Sequence, residues 1–294
     1  MISILIPTKD YDCHQLIEEL HRQGEALRER YEIIIGEDGT SKENLKLNIA
    51  AEFLPNCRRI IREQNIGRAN IRNVLAIEAK YPNLLFIDSD AIVEKEDFLK
   101  CYTEELKEHE VVCGGLYHTD KQPDRSFALR YKYEKKADKY RSAEIRNKNP
   151  YDKFTTFNFA IRKEIFSTIF FNPDIVQYGY EDTLFGKELE KRKVLPIHID
   201  NKLLHNGLED SATYLSKIEQ SIRTLVSIQD RIGTTPLLEA AARLKRWHLK
   251  GVFTIFWKVT RRRLVKNLLG SNPSLKIFNI YKLGYFCSLI KQGG

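Results

Sequence analysis

Short apolar runs separated by stretches with helical spacing dominate the first part of the chain. Ile2–Ile6 reads as a first strand, followed by a helix from about Tyr11 to Arg30 that carries Leu16, Leu20 and Leu27 on one face. Glu32–Ile35, the stretch near Arg59–Ile61 and Leu84–Ile87 read as the next three strands, each preceded by enough chain for a crossover helix, and Val111–Leu116 reads as a fifth. This alternation predicts a parallel sheet covered by helices over residues 1 to about 115. The charged, tyrosine-studded stretch from Tyr117 to Tyr151 is expected to hold a helix or a mobile segment. An apolar run from Phe154 to Ile161 follows, then a helix near Lys163–Ile169. Tyr178-Gly179-Tyr180-Glu181-Asp182 opens another helix that ends around Arg192, and Val194–Ile199 reads as a strand. After His205-Asn206-Gly207 the spacing of Tyr214, Ile218, Ile222 and Leu225 predicts helix, continuing to the end.

Charge changes this picture in one place. The chain carries a net charge of +8, yet residues 240–294 hold 12 Lys and Arg and no acid, so the first 239 residues are net acidic, with 36 basic against 40 acidic side chains. Nucleic-acid binding by the main body is therefore not expected. The longest apolar run, Val252–Trp257 with Thr254 counted as neutral, falls far short of the ~18 residues that span a bilayer. The N-terminus has no basic leader before its short apolar stretch, which makes a cytoplasmic chain the simplest reading. Five scattered cysteines without a CxxC pairing point to neither a disulfide framework nor a zinc site.

In a parallel sheet of this type ligands bind at the carboxyl ends of the strands. There the chain places Pro7-Thr8-Lys9-Asp10, Gly36-Glu37-Asp38-Gly39 and Asp88-Ser89-Asp90. Asp88 and Asp90 leave the end of a buried strand, where a carboxylate without a cation is costly to desolvate. A hard divalent ion, Mg2+ or Mn2+, bridging to phosphate oxygens suits such a pair, although carboxylates there can equally cap the next helix.

The order of these segments resembles the inverting glycosyltransferases of family 2, over residues 2 to about 210. The resemblance rests on ISILIPTKD, YEIIIGEDGTS, NIGRANIRN, LLFIDSDAIV, YGYEDTLFGKEL and LLHNG taken together. It implies an α/β GT-A fold with a Rossmann-like mixed sheet: a catalytic domain over 1–210, its nucleotide-binding half at about 1–115 and its acceptor-side half at about 116–210. A helical, basic C-terminal region, 211–294, follows.

Carried over by position, the resemblance implies that Pro7 and Thr8 line the nucleotide pocket and that Asp38 meets the base edge, in a loop where Glu37 stands in place of the usual first Asp. It implies that Asn65, Gly67, Arg68 and Asn73 face the phosphates or ribose, with helix capping as the alternative for Asn65. Asp88 and Ser89 are implied at the ribose and sugar, Asp90 and His205 at the metal, with His198 as the alternative ligand should the register differ. Asp182 matches the catalytic base and Glu181 is implied to orient the acceptor; acids at a helix N-terminus are also favoured by the helix dipole. Tyr178, Gly179 and Tyr180 are candidates for a sugar-stacking wall.

The activity so implied is metal-dependent, inverting transfer from a nucleotide-sugar donor, UDP-linked, to a saccharide or lipid-linked saccharide hydroxyl. A sugar nucleotidyltransferase is the alternative enzyme, but its glycine-rich loop after strand one is not what Pro7-Thr8-Lys9-Asp10 offers; a non-catalytic homologue is the other. The acid-free tail, which mixes Trp247, Phe253, Phe256 and Trp257 with Arg261-Arg262-Arg263, suits association with an anionic membrane at its inner face or packing against the catalytic domain.

Overall fold

The computed structural model describes residues 1–121 and 123–290. Two compact units divide them: Met1–Thr119 with Asp138–Val176 and Glu181–Gly207, and Asp120–Ala137 with Gln177–Tyr180 and the chain from Leu208 on.

The first unit begins with β1 (Ile2–Thr8), α1 (His14–Ala26), β2 (Tyr31–Asp38), β3 (Cys57–Arg62), α2 (Arg68–Glu78) and β4 (Asn83–Ile87). Next come β5 (Ala91–Ile92), α3 (Phe98–Glu108), β6 (Val111–Cys113) and β7 (Leu116–Tyr117). After an intervening helix, α4 (Ala128–Asp138), it continues with α5 (Ala143–Asn147), β8 (Asn158–Arg162), α6 (Lys163–Ile169), α7 (Glu181–Lys191), β9 (Pro196–His198) and β10 (Leu203–His205). Seven strands form one sheet in the order β3-β2-β1-β4-β8-β6-β9; β1 is parallel to β2 and β4, and β2 to β3. β8 runs antiparallel between β4 and β6, so the sheet is mixed. A second sheet of three short strands runs β5-β10-β7.

The two faces of the large sheet follow from the period of two. Ile2, Ile4 and Ile6 of β1, with Ile33, Ile35, Leu85 and Ile87, enter one buried cluster, while Leu5, Ile34, Leu84 and Phe86 enter the other. Both faces are covered, which explains why these strands read as continuous apolar runs. Because β1, β2 and β4 are parallel, Thr8, Asp38 and the Asp88 that follows β4 all emerge at one rim.

Three expectations need correction. The first helix is shorter at both ends, His14–Ala26, because Asp12 and His14 bond to each other ahead of it and Leu27 is already extended. No α-helix links β2 to β3; two 3-10 turns, Asn44–Lys46 and Ile49–Phe53, do so. The fifth strand is two strands in different sheets, since the chain turns at Gly114-Gly115, where the wall of Tyr102, Asn158 and Arg146 admits no side chain.

The second unit contains α4 up to Ala137, α8 (Ser211–Ile228), α9 (Pro236–Arg246), α10 (Lys250–Leu268) and α11 (Leu275–Leu289). The continuous helical tail expected from periodicity is thus four helices among the described residues. Each break is chemical. Thr235 caps α9 ahead of Pro236, His248 turns left-handed with φ 57° between α9 and α10, and Ser274 caps α11 after Pro273. Tyr133 and Tyr214 pack on Phe278, and Trp257 on Tyr281, to form an aromatic interior.

Candidate active site

The site begins where β4 ends. The amide of Asp88 donates to the Phe157 carbonyl at 3.0 Å, and the chain then enters β5, which pairs antiparallel with β10 so that Ala91 faces His205. The Asn206 amide donates to the Asp90 carbonyl at 2.9 Å. This small sheet sets the His205 Nε2 atom 3.3 Å from Asp90 Oδ2. The opposite atoms of the pair, Asp90 Oδ1 and His205 Nδ1, are buried and have no protein partner. The imidazole is wedged between the rings of His118 and Phe157, 5.0 and 5.2 Å away. Burial pushes the Asp90 carboxyl up, but His205 and Arg68 outweigh it and hold the group below the usual carboxylate range. A Cβ at position 207 would lie 2.0 Å from Asp90 Oδ2, so the glycine of LLHNG is what lets the carboxylate sit there.

Asp88 meets a different cation. Arg68 and Arg72 lie one turn apart on α2, hence on one face, and both reach its carboxylate: Arg72 Nη2 against Oδ1, and Arg68 Nη2 3.2 Å from Oδ2. Arg72 is fully buried and also donates to the Arg68 carbonyl at 3.0 Å; Arg68 is half exposed. The cation expected at this first carboxylate is therefore the chain's own guanidinium pair. Arg72 is not among the residues expected from sequence; a spacing of four from Arg68 places it on the same helix face but does not show that it turns inward.

The acceptor-side pair opens α7. The Asp182 carboxylate accepts from the Thr183 amide at 2.6 Å and from its hydroxyl at 3.2 Å. Burial and the neighbouring Glu181 push its pKa up to about 6, against the pull of Arg72. Arg72 also lies 5.8 Å over the ring of Phe171, which stacks on Phe185 of α7 at 4.4 Å, so an aromatic pair links the Arg72 side of α2 to the helix that Glu181 and Asp182 open.

A match to the sequence profile of Glycosyl transferase family 2 spans residues 3–170. The chain belongs to this family. The family 2 glycosyltransferase has the GT-A fold, and its structure is similar to those of other glycosyltransferases. One is the mannosyltransferase PcManGT from Pyrobaculum calidifontis, solved with GDP-Man and Mn2+ (13% identity, TM-score 0.56, covering 99% of this chain and 81% of that one). Another is glucosyl-3-phosphoglycerate synthase from Mycobacterium tuberculosis, solved with Mn2+, UDP-glucose and glycerol 3-phosphate (16% identity, TM-score 0.53, 80% and 81%). S. aureus TarS is a third (18% identity, TM-score 0.50, 74% of this chain and 38% of that one). The chain spans 63% of the length of TarS 1–349. No curated protein matches its sequence.

Elsewhere in the chain the remaining expected residues divide. Asp38 ends β2 with both carboxylate oxygens engaged, accepting from the amides of Ile66 at 2.8 Å and Gly67 at 3.1 Å. Burial pushes its carboxyl up, while those amides oppose the shift. Asn65 caps no helix; its side chain donates to the Asp38 carbonyl at 2.9 Å. Gly67 is the cap, at φ 89°, and a Cβ there would lie 2.6 Å from the Val176 carbonyl oxygen. Glu37 is buried and accepts from Thr40 at 2.7 Å and Asn48 at 3.1 Å, so the residue in place of the usual Asp braces the loop.

Pro7 and Thr8 end β1, and the Thr8 hydroxyl donates to the Tyr11 carbonyl at 3.4 Å. Ser89, Tyr11, Cys13, Ile92 and Asn206 line a cleft of about 400 Å3 beside Asp90. Tyr11 had not been singled out by sequence; burial and the Asp90 charge raise its phenol. Asn73 is engaged by the backbone. Its amide nitrogen donates to the Phe171 carbonyl and its oxygen accepts from the Phe171 amide, each at 2.9 Å, making it a strut between α2 and that loop.

His198, the alternative ligand, is spent. Arg146 Nη1 donates to its Nδ1 at 2.7 Å, its Nε2 donates to the Pro150 carbonyl at 2.9 Å, and burial holds its pKa down to about 4. Tyr178 lies in the second unit with Lys217 Nζ 5.4 Å from its ring centroid, and its carbonyl accepts from Thr224 at 3.1 Å. Gly179 and Tyr180 share that unit, both with positive φ, 103° and 67°.

Proposed function

We propose that the chain is an inverting, metal-dependent glycosyltransferase that moves a sugar from a UDP-linked donor to a hydroxyl of a saccharide or lipid-linked saccharide. The observation that carries this reading is the Asp90–His205 pair, 3.3 Å apart with a buried unpartnered atom on each, beside the rim where the parallel strands deliver Thr8, Asp38 and Asp88. Asp90 and His205 would hold a divalent cation: each has a buried donor atom with no protein partner, and a carboxylate with an imidazole suits Mn2+ or Mg2+. Among the described residues no group of three or more His, Cys, Asp or Glu could hold such an ion, so the donor's phosphates and water would complete its shell. When bound, the cation would neutralise charge growing on the leaving diphosphate.

Asp182 accepts the proton of the acceptor hydroxyl as that oxygen bonds to the anomeric carbon and the bond from that carbon to the diphosphate oxygen breaks. A base poised near pKa 6 is ionised at neutral pH yet still able to take a proton, and such assistance is worth ~10²–10⁴ in rate. Glu181 orients the acceptor. Arg68 and Arg72 fix Asp88 toward the donor's ribose and sugar, with Ser89 beside it. Pro7, Thr8, Asp38, Asn65 and Gly67 shape the nucleotide pocket.

UDP is the nucleotide in the glucosyl-3-phosphoglycerate synthase complex, whereas PcManGT carries GDP-Man, so the base needs a direct test. A thermal-shift panel of UDP-, GDP- and ADP-sugars with Mn2+ should give its largest shift with a UDP-sugar. Stabilisation by none of them refutes the donor reading, and a product retaining the donor's anomeric configuration by NMR refutes inversion. The acid-free C-terminal segment supports work at the inner, anionic face of the cell membrane, and among the described residues no helix is long and apolar enough to cross it.

A further inference from the structure

The C-terminal unit exposes an apolar stripe that its own fold does not cover. On α10, Val252, Ile255, Phe256 and Val259 are between 49% and 77% exposed. At 3.6 residues per turn they share one arc of ~100°. Trp247 and Leu249, also exposed, prolong the stripe before the helix starts. The opposite side of α10 is anchored: Trp257 and Leu268 are buried, Trp257 packs on Tyr281 at 5.9 Å, and Arg261 pairs with Glu219 at 3.2 Å.

Cations bracket the stripe. Arg263 and Lys266 continue the same arc, with Arg262 at its margin, and Arg243, Lys245 and Arg246 precede Trp247; all are exposed. Arg243 pairs with Glu239 at 3.7 Å, but from position 240 onward the sequence holds no Asp or Glu. A second copy of this chain seated on the face would bring like charges together, whereas an anionic lipid surface supplies the missing countercharge. Helices at such a boundary put aliphatic and aromatic groups among the acyl chains while Lys and Arg stay at the headgroups.

We propose that α10, with the Trp247–Leu249 corner, is a docking face for an anionic bilayer, bound in the plane of the membrane through Val252, Ile255, Phe256 and Val259. The proposal deepens the membrane part of the reading above and does not depend on which donor is used.

The test is cosedimentation of the full chain with vesicles of pure phosphatidylcholine and with vesicles carrying ~30% phosphatidylglycerol. Partitioning should be at least ~10-fold stronger on the anionic vesicles. Ile255→Asp with Phe256→Asp should weaken it by ~10-fold or more through lost burial and added negative charge. Arg262→Gln with Arg263→Gln should weaken it by ~30-fold at low salt and by much less at high salt. Phe256→Trp should keep binding, which separates an interfacial role from a folding defect. All these variants should keep the wild-type thermal shift with the donor, because none touches the proposed active site.

Equal binding to neutral and anionic vesicles overturns the proposal, as does wild-type binding by both double variants. A dimer in sedimentation velocity that Phe256→Asp splits would assign the face to a second copy instead. Vesicle binding by a wild-type protein that no nucleotide sugar stabilises would leave the docking face standing and refute the donor reading alone.

Discussion

The buried guanidinium of Arg72 closes on the carboxylate of Asp88 and lies 5.8 Å over the ring of Phe171. Removing Arg72 leaves Asp88 with only the half-exposed Arg68, 3.2 Å away, so the cost is a part of the about 3–5 kcal/mol that a wholly uncompensated buried charge carries. Arg72→Met should therefore lower the melting temperature. Arg72→Lys keeps the positive charge but loses the planar fork that reaches both Asp88 and the Arg68 carbonyl, so it should melt above Arg72→Met and below wild type. A Lys variant that melts with the Met variant would contradict a charge-based role for this pair.

Asp182→Asn should reduce transfer by ~10²–10⁴ while calorimetry shows donor binding intact. The same change should stabilise the fold at neutral pH. The folded-state pKa is raised to about 6 from 3.8, so the native protein binds more protons than the unfolded chain between those values, and stability falls as pH rises through them. Asn removes that cost, and the advantage over wild type should vanish below 3.8, where both states carry the neutral acid. Melting curves across this window check the sign.

Asp90→Ala and His205→Ala should each weaken Mn2+-dependent binding of the nucleoside diphosphate. Loss of a direct ligand should cost no less than the ~10–100-fold that outer-shell changes cost. The metal-free affinity should change little. If wild-type affinity is the same with Mn2+ and with chelator, the assignment of this pair is wrong.

Gly207→Ala should act like a partial loss of Asp90. The added methyl would stand 2.0 Å from the carboxylate oxygen, which must move. A metal-binding defect with a near-normal melting temperature is expected, and a wild-type metal titration would contradict it.

Asp38→Ala should loosen the turn that leads into α2, because the buried amides of Ile66 and Gly67 lose their acceptor at about 1–3 kcal/mol. Asp38→Asn keeps one acceptor and should fall between. Hydrogen exchange at residues 66 and 67 reads this directly.

Much of the first unit could be read from pattern because a sheet buried on both faces demands apolar runs, and parallel strands then deliver their following residues to one rim. Asp38, Asp88 and Asp90 were visible for that reason. Arg72 was not: nothing local distinguishes a helical arginine that turns inward from one that stays in water, and its burial follows from Asp88 and Phe171, which other elements bring to it. The partner of Asn73 was equally out of sight, since it is the backbone of a loop 98 residues away.

By itself the sequence determined the strand-and-helix alternation, the acidic rim and the separation of an acid-free tail, all of which rest on local spacing and on side-chain type. Which histidine faces Asp90 was decided only in three dimensions. β5 and β10 pair in a register that presents His205, while Arg146 and the Pro150 carbonyl consume both nitrogens of His198. A side chain's chemistry is set by which of its lone pairs and protons remain unspent after folding, and that account closes only when the distant partners have met.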